Sequence, residues 1–345
     1  AQTGTSGTVG NTAVGYQALL TATTANQSVA IGYEALKLMA SGTANVAIGR
    51  GAYMSADGSE NNNVAIGFNS AQDVNNNAST GNVWVGSHSG VGGTGSQIGN
   101  VAVGDDALNG TNSRDASYNT IVGRSAGNGT WVGGGTENTG IGYSAFAGPV
   151  NGANYNTALG SSALAAIVSG DNNVAVGRQA GAAITSGGSN VTIGYRSGLD
   201  LLTGNYNTLL GTESGFEVTT NEGNVFLGYQ AGKNTKGDYH YNVAIGMQAL
   251  SAAHTTAGTI AIGYKAAEAL TSGANNLAIG YQAMKVHTTG ARNIAIGVEA
   301  MDDTNAGSTS LASEDNTFIG YRAGSGTWTD VASNGNVGIG NYTMD

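Results

Sequence analysis

The chain has 345 residues, of which only 10% are charged, with a net charge of −10, no cysteine and one proline, Pro149. So thin and acidic a surface offers no electrostatic footing for nucleic acid or an anionic membrane, and the missing thiols exclude disulfide staples, thiolate metal sites and cysteine nucleophiles. No run of about 18 apolar residues exists to cross a membrane as a helix, while the 40% of hydrophobic residues recur in phase and argue for a core despite 58 glycines.

Residues 1–10 read as a lead-in. From Asn11 to Asp345 the chain writes one pattern nineteen times: Asn, β-branched residue, small or apolar residue, aliphatic residue, Gly. Clear copies are NVAIG at Asn45–Gly49 and Asn63–Gly67, then NVAIG at Asn242–Gly246, NLAIG at Asn276–Gly280 and NIAIG at Asn293–Gly297. The glycines are spaced 17 to 19 residues apart, widening to 23 and 20 only before the last two copies. A fixed period of that size predicts a stacked solenoid. Residues 1–345 are therefore read as a single repeat domain.

With the glycine as position zero, position −1 is aliphatic in every copy and −3 is β-branched in all but Leu277. Two such residues two apart share one face of an extended chain, so each repeat predicts a short strand. That reading puts −1 in the interior, at Ile48, Ile66, Ile245, Ile279 and Ile296, with −2 on the opposite face. Position −4 is Asn in seventeen of nineteen copies, Ser28 and Thr259 being the exceptions. Asparagines repeated at one phase, such as Asn45, Asn63, Asn242, Asn276 and Asn293, form a hydrogen-bonded ladder along a parallel stack or simply start each strand as turn residues. The glycine marks a positive φ or a close approach of chains. The segment after it, as in GYQALL from Gly15, is one helical turn or a second strand, which four residues of periodicity do not separate.

At ~3.3 Å per extended residue a coil has a contour of roughly 55–60 Å, which suits a flattened two-sided coil with a thin core. Nineteen coils at ~4.8 Å would make a rod of about 90 Å. So thin a solenoid leaves apolar surface uncovered, and lateral association of several copies would cover it.

Short catalytic signatures occur, each with a simpler explanation in the repeat. Gly123–Gly127 fits G-x-S-x-G, but Ser125 sits at +2 of an ordinary copy, where others hold Gln17 or Glu34. Gly90–Gly95 fits G-x-G-x-x-G within a return loop. His88, His240, His254 and His287 fall in different coils without metal-ligand spacing. Asp105-Asp106 and Asp302-Asp303 are the acidic doublets; either would assist Ca²⁺ only with carbonyls from neighbouring coils. No catalytic, cofactor or metal site is expected. Recognition is expected on the irregular returns Ser87–Gly99, Asp105–Tyr118, Arg124–Glu137 and Met301–Asp315. There Trp131, with Trp328 in the following return, is a candidate platform for stacking on sugars or a packing residue at the coil edge.

The repeated NxAIGxxA pattern resembles the head repeats of trimeric bacterial adhesins of the autotransporter type, and is similar to repeats of phage tail fibres. The resemblance covers residues 11–345. It implies a left-handed parallel β-roll, three chains packed side by side, and a fibre whose surface binds a host glycan or protein receptor, without nucleic acid or membrane insertion. Adhesin heads use shorter repeats, and a heptad stalk and membrane anchor are lacking here. Both departures favour a tail-fibre or spike segment on a virion surface over the head of a bacterial adhesin. A glycan-degrading tailspike would need paired carboxylates, and an ice-binding solenoid would need a flat threonine array. Six threonines at −3 mixed with valine do not supply the latter.

Overall fold

Two β-branched or aliphatic residues around one smaller residue extend the backbone for three residues in every repeat, and the glycine that follows ends the extension. The computed structural model describes residues 9–112, 115–237, 239–252, 254–302, 313–326 and 332–344. The chain groups into two units, Ala1–Ala175 and Val176–Asp345. Each is an all-β parallel solenoid, and among the described residues there is no helix.

In the first unit the strands run from Thr12–Val14, Val29–Ile31 and Val46–Ile48 through to Thr139–Ile141 and Thr157–Leu159, each pairing in parallel with its successor. The register never slips: Val46 faces Val64, Ala47 faces Ala65 and Ile48 faces Ile66. A second face is made by Gln97–Ile98, Ala116–Ser117 and Gly135–Thr136, extended by bridges through Asn26, Thr43, Asn61 and Thr80. The second unit repeats the first face from Val191–Ile193 to Val337–Ile339.

The middle residue of each strand, not its neighbours, points inward. Ala47, Trp84, Ile121, Phe226, Ala244 and Ala295 are fully buried. This corrects the interior assignment of position −1: Ile48 is 36% exposed, and Ile66, Ile245, Ile279 and Ile296 are only half-buried. A period of two fixes that −3 and −1 share a face, but not which face is inside. The coil holds one residue of each strand, small as at Ala47 or large as at Trp84 and Phe226, and leaves the two branched residues that flank it outside.

The rest of the interior comes from +3, +4 and the return. Position +3 supplies buried Ala35, Ala52, Ala249 and Ala283, and later residues such as Met39, Val74, Ile167 and Leu201 close the far end. Positions −2 and +4 share one space. In most coils where −2 is Ala, +4 is large, as in Ala30 with Leu36, Ala47 with Tyr53 and Ala278 with Met284, all buried, whereas Ala65 with Ala71, Ala175 with Gly181 and Ala261 with Ala267 are small at both positions. Where −2 is large, +4 is Gly. A Cβ on Gly90 would strike the Trp84 ring and one on Gly232 the Phe226 ring, while a Cβ on Gly324 would lie 2.7 Å from Phe318 and one on Gly215 2.9 Å from Leu209. Coils with a large residue at −2 or at +4 thus divide the shared space in one of two ways, as dense packing requires.

The stretch after the glycine is neither a helical turn nor a strand. Residues +2 and +4 both take left-handed φ, 57° at Glu34 and 48° at Leu36, and the Glu34 N–H donates to Tyr16 O at 2.9 Å while the Leu36 N–H donates to Ala52 O at 3.1 Å. The backbone therefore bonds to the coils on either side even where it turns. The glycine at zero is demanded twice over. Gly228 has φ 134°, and a Cβ there would lie 2.6 Å from the carbonyl oxygen of Gly246 in the next coil.

Position −4 forms an amide ladder along each unit, broken at Ser28 in the first and at Thr259 in the second. The Asn63 N–H donates to Asn45 Oδ1 at 3.0 Å, and Asn45 Nδ2 donates to Glu60 O at 2.7 Å. Asn207 donates to Asn190 Oδ1 from both its backbone N–H and Nδ2, at 3.0 Å each, and to Asn221 O at 2.8 Å. Asn293 treats Asn276 and Ser313 in the same way. Each carboxamide thus answers a backbone N–H and a carbonyl of the following coil, all buried. Thr259 interrupts the series: its N–H still donates to Asn242 Oδ1 at 3.0 Å, but its Oγ1 is buried without a partner.

Two predictions follow from the ladder and the shared core volume. Asn207→Ala leaves a buried N–H and a carbonyl bare and should lower stability by about 1–3 kcal/mol for each group, whereas Thr259→Asn should raise it by about 1 kcal/mol, both read by urea unfolding. Phe226→Ala should cost about 3–5 kcal/mol, and adding Gly232→Leu should recover part of that loss although Gly232→Leu alone is destabilising. A double-mutant cycle showing additivity would refute the shared volume.

Candidate interaction surface

Inward −2 forces −3 and −1 outward, so parallel stacking lines up branched apolar side chains on the outside of each unit. Val14, Ile31, Ile48 and Ile141 in the first unit, and Leu210, Ile260, Val337 and Ile339 in the second, are exposed. Beside them runs position +1. In the second unit Tyr229, Met247, Tyr281, Val298 and Tyr321 at this position are exposed, Tyr229 by 46%, and Tyr264 stacks on Tyr281 with centroids 5.1 Å apart. In the first unit Tyr16 and Tyr33 stack at 5.2 Å, and the Arg50 guanidinium sits 5.8 Å from the Tyr33 ring and 5.6 Å from the Phe68 ring.

Next to it, position +2 carries a polar edge. In the second unit Arg196 Nε donates to Gln179 Oε1 at 3.0 Å, Gln230 Nε2 and Lys233 Nζ donate to Glu213 Oε2 at 2.8 and 2.9 Å, and Gln248 Nε2 donates to Gln230 Oε1 at 3.1 Å. Lys233 and Gln230 hold the Glu213 carboxyl below the usual carboxylate range. Charges on this edge are answered by neighbours one coil away.

Among the long returns, residues 133–136 form a depression of about 350 Å³ with Asp115, Gly152 and Asn154. Its backbone is held by side chains: Asp115 Oδ1 accepts from Ser96 N–H at 2.8 Å, and Asn154 Oδ1 from Thr136 N–H at 3.0 Å. Trp131 does not face this surface. It is 0% exposed, its Nε1 donates to Gly127 O at 3.1 Å, and its ring lies 6.0 Å from Phe146. The expectation of a receptor platform at Trp131 is thereby corrected: the return folds the indole into the coil interior, where it meets Phe146 and the Gly127 carbonyl. Trp328 lies outside the described residues.

The sequence signatures are absorbed by the coil. Ser125 takes the left-handed φ of its position, 54°, and its N–H donates to Asp105 O. Gly90 is the glycine against which the Trp84 indole packs. His254 and His287 occupy interior slots that other coils fill with Leu201 or Leu270. His88 lies on the surface with Asp105 and Asp106 beside it, a grouping invisible in the sequence because 17 residues separate His88 from Asp105. Compared with protein-family models, with curated proteins and with solved structures, the chain matches none.

The buried histidine gives the protein an acid limb. His254 Nε2 is 2.6 Å from Thr235 Oγ1 and Nδ1 is 3.2 Å from Thr256 Oγ1, and burial pushes its pKa down to about 4. The unfolded chain takes a proton near pH 6.5 and the folded one only near 4, so this group's stability is present above pH 6.5 and lost as pH falls through that window. Urea unfolding should weaken by about 3 kcal/mol between pH 6.5 and 4 from this residue alone. In His254→Leu the slope should be shallower.

Proposed function

We propose that this chain is a non-enzymatic structural protein, a homotrimeric, left-handed β-roll segment of a phage tail fibre or spike that contacts a host surface outside the cell. The observation that carries the reading is the outward apolar band of −3 and −1 side chains with the aromatic file at +1. A single chain leaves it wet, and its in-register repetition suits a second and third copy of the same chain, which bring the same band in the same spacing. Buried backbone and side-chain hydrogen bonds between coils supply rigidity, and the returns vary in length and composition, which suits them to meet a glycan or protein receptor. The Gly-walled depression around Asp115 and Asn154 is one such place. The long repeat period favours the fibre over the alternative, the head of a bacterial trimeric adhesin; in either case the position is extracellular.

Light scattering on the purified chain should give about three times 34.2 kDa. Ile245→Asp charges the outward band and should reduce the mass to one chain while the β-rich circular dichroism spectrum persists, whereas Ala244→Asp puts the charge inside the coil and should abolish folding. A wild-type mass of one chain would overturn the trimer.

A further inference from the structure

The polar edge at +2 balances its charges everywhere described except at one place. His88 and Asp106 occupy +2 of successive coils, and Asp105 the +1 position beside Asp106. Their backbones are fixed by ladder bonds, the His88 N–H donating to Phe68 O and the Asp106 N–H to Ser87 O, both at 2.9 Å. One ligand atom from each of the three side chains lies within 4.8 Å of the other two. The nearby cation is weakly placed: Arg124 Nε is 3.8 Å from Asp105 Oδ2, with the two side chains 72% and 52% exposed. Two carboxylates standing together with so slight a counter-charge repel one another, and a bound cation removes that repulsion.

We propose that His88, Asp105 and Asp106 bind one divalent transition-metal ion per chain, Zn²⁺ being the best match. An imidazole nitrogen with two carboxylate oxygens is the donor set of Zn²⁺, Co²⁺ or Mn²⁺ and not of Ca²⁺ or Mg²⁺, which take oxygen alone. Ligand atoms around tetrahedral Zn²⁺ sit roughly 3.3 Å apart at bonds of about 2.0–2.1 Å, a contraction that small rotations of partly exposed side chains provide. The surroundings orient the ligands as metal sites require. Ser87 Oγ lies 3.0 Å from His88 Nδ1, so the tautomer protonated at Nδ1 donates to it and leaves Nε2 free for the ion. Asn109 Nδ2 donates to Asp106 Oδ1 at 3.0 Å, holding that carboxylate in place. The edge of the Phe68 ring, 5.2 Å from the imidazole centroid, walls one side. Three protein ligands leave at least one position for water.

The test is calorimetric titration of the tag-free, chelator-treated full chain with Zn²⁺, supported by the visible spectrum of the Co²⁺ form. Saturation at one ion per chain is expected, with His88→Asn and Asp106→Asn each weakening binding by about tenfold or more. Asn tolerates the left-handed φ of 51° at His88, so the metal-free variants should melt with the wild type. Absence of saturable Zn²⁺ binding would overturn the site. So would undiminished binding in His88→Asn, or Ca²⁺ binding as tight as Zn²⁺, since either would leave only an acidic pair attracting counter-ions.

Discussion

At the entry to most strands one backbone N–H finds no carbonyl in the neighbouring coil, and a carboxamide answers it. The Asn63 N–H reaches Asn45 Oδ1 and the Asn207 N–H reaches Asn190 Oδ1, and in each case the amide nitrogen of the same ladder turns to a carbonyl of the coil beyond. A buried amide left bare costs as much as a lost core contact, so the chain stacks with asparagine above asparagine in all but two coils. That requirement sets the register, and the register sets everything repeated along the axis. It explains why Ser28 is tolerated, since its Oγ still accepts from the Asn45 N–H at 3.3 Å, and why Thr259 is a weak point.

Register in turn decides where apolar mass goes. The coil interior accepts one residue per strand, and in most coils the space it shares with +4 is filled either by a large residue opposite a small one or the reverse. Trp84 with Gly90 and Ala30 with Leu36 are the same solution with the halves exchanged. The remaining branched residues have nowhere to go but outward, where stacking gathers them into bands.

The same stacking makes chemistry out of distant residues. Position +2 of one coil lies beside +2 of the next, so side chains 17 or 18 residues apart become hydrogen-bond partners, as Gln230 and Gln248 do. His88, Asp105 and Asp106 meet by that route. A linear scan for metal-ligand spacing looks for helical or hairpin offsets and passes over an offset of one coil.

The sequence by itself determined the period, the strand at each Asn-to-Gly motif and the parallel stack, because a motif repeated at one phase leaves a chain few other ways to satisfy its backbone. The exchange of size between −2 and +4 is also legible there, in the pairing of Phe226 with Gly232 and Phe318 with Gly324. Which face of the strand lies inside was not legible, because alternation is symmetric: it separates Ile245 from Ala244 without saying which of them meets the core. Only the tertiary structure decided that, by closing a coil that holds one residue of each strand and leaves the two that flank it outside. It also decided Trp131, folding an indole from a glycine-rich return into the coil interior, where the Nε1 donates to the Gly127 carbonyl and the ring meets Phe146.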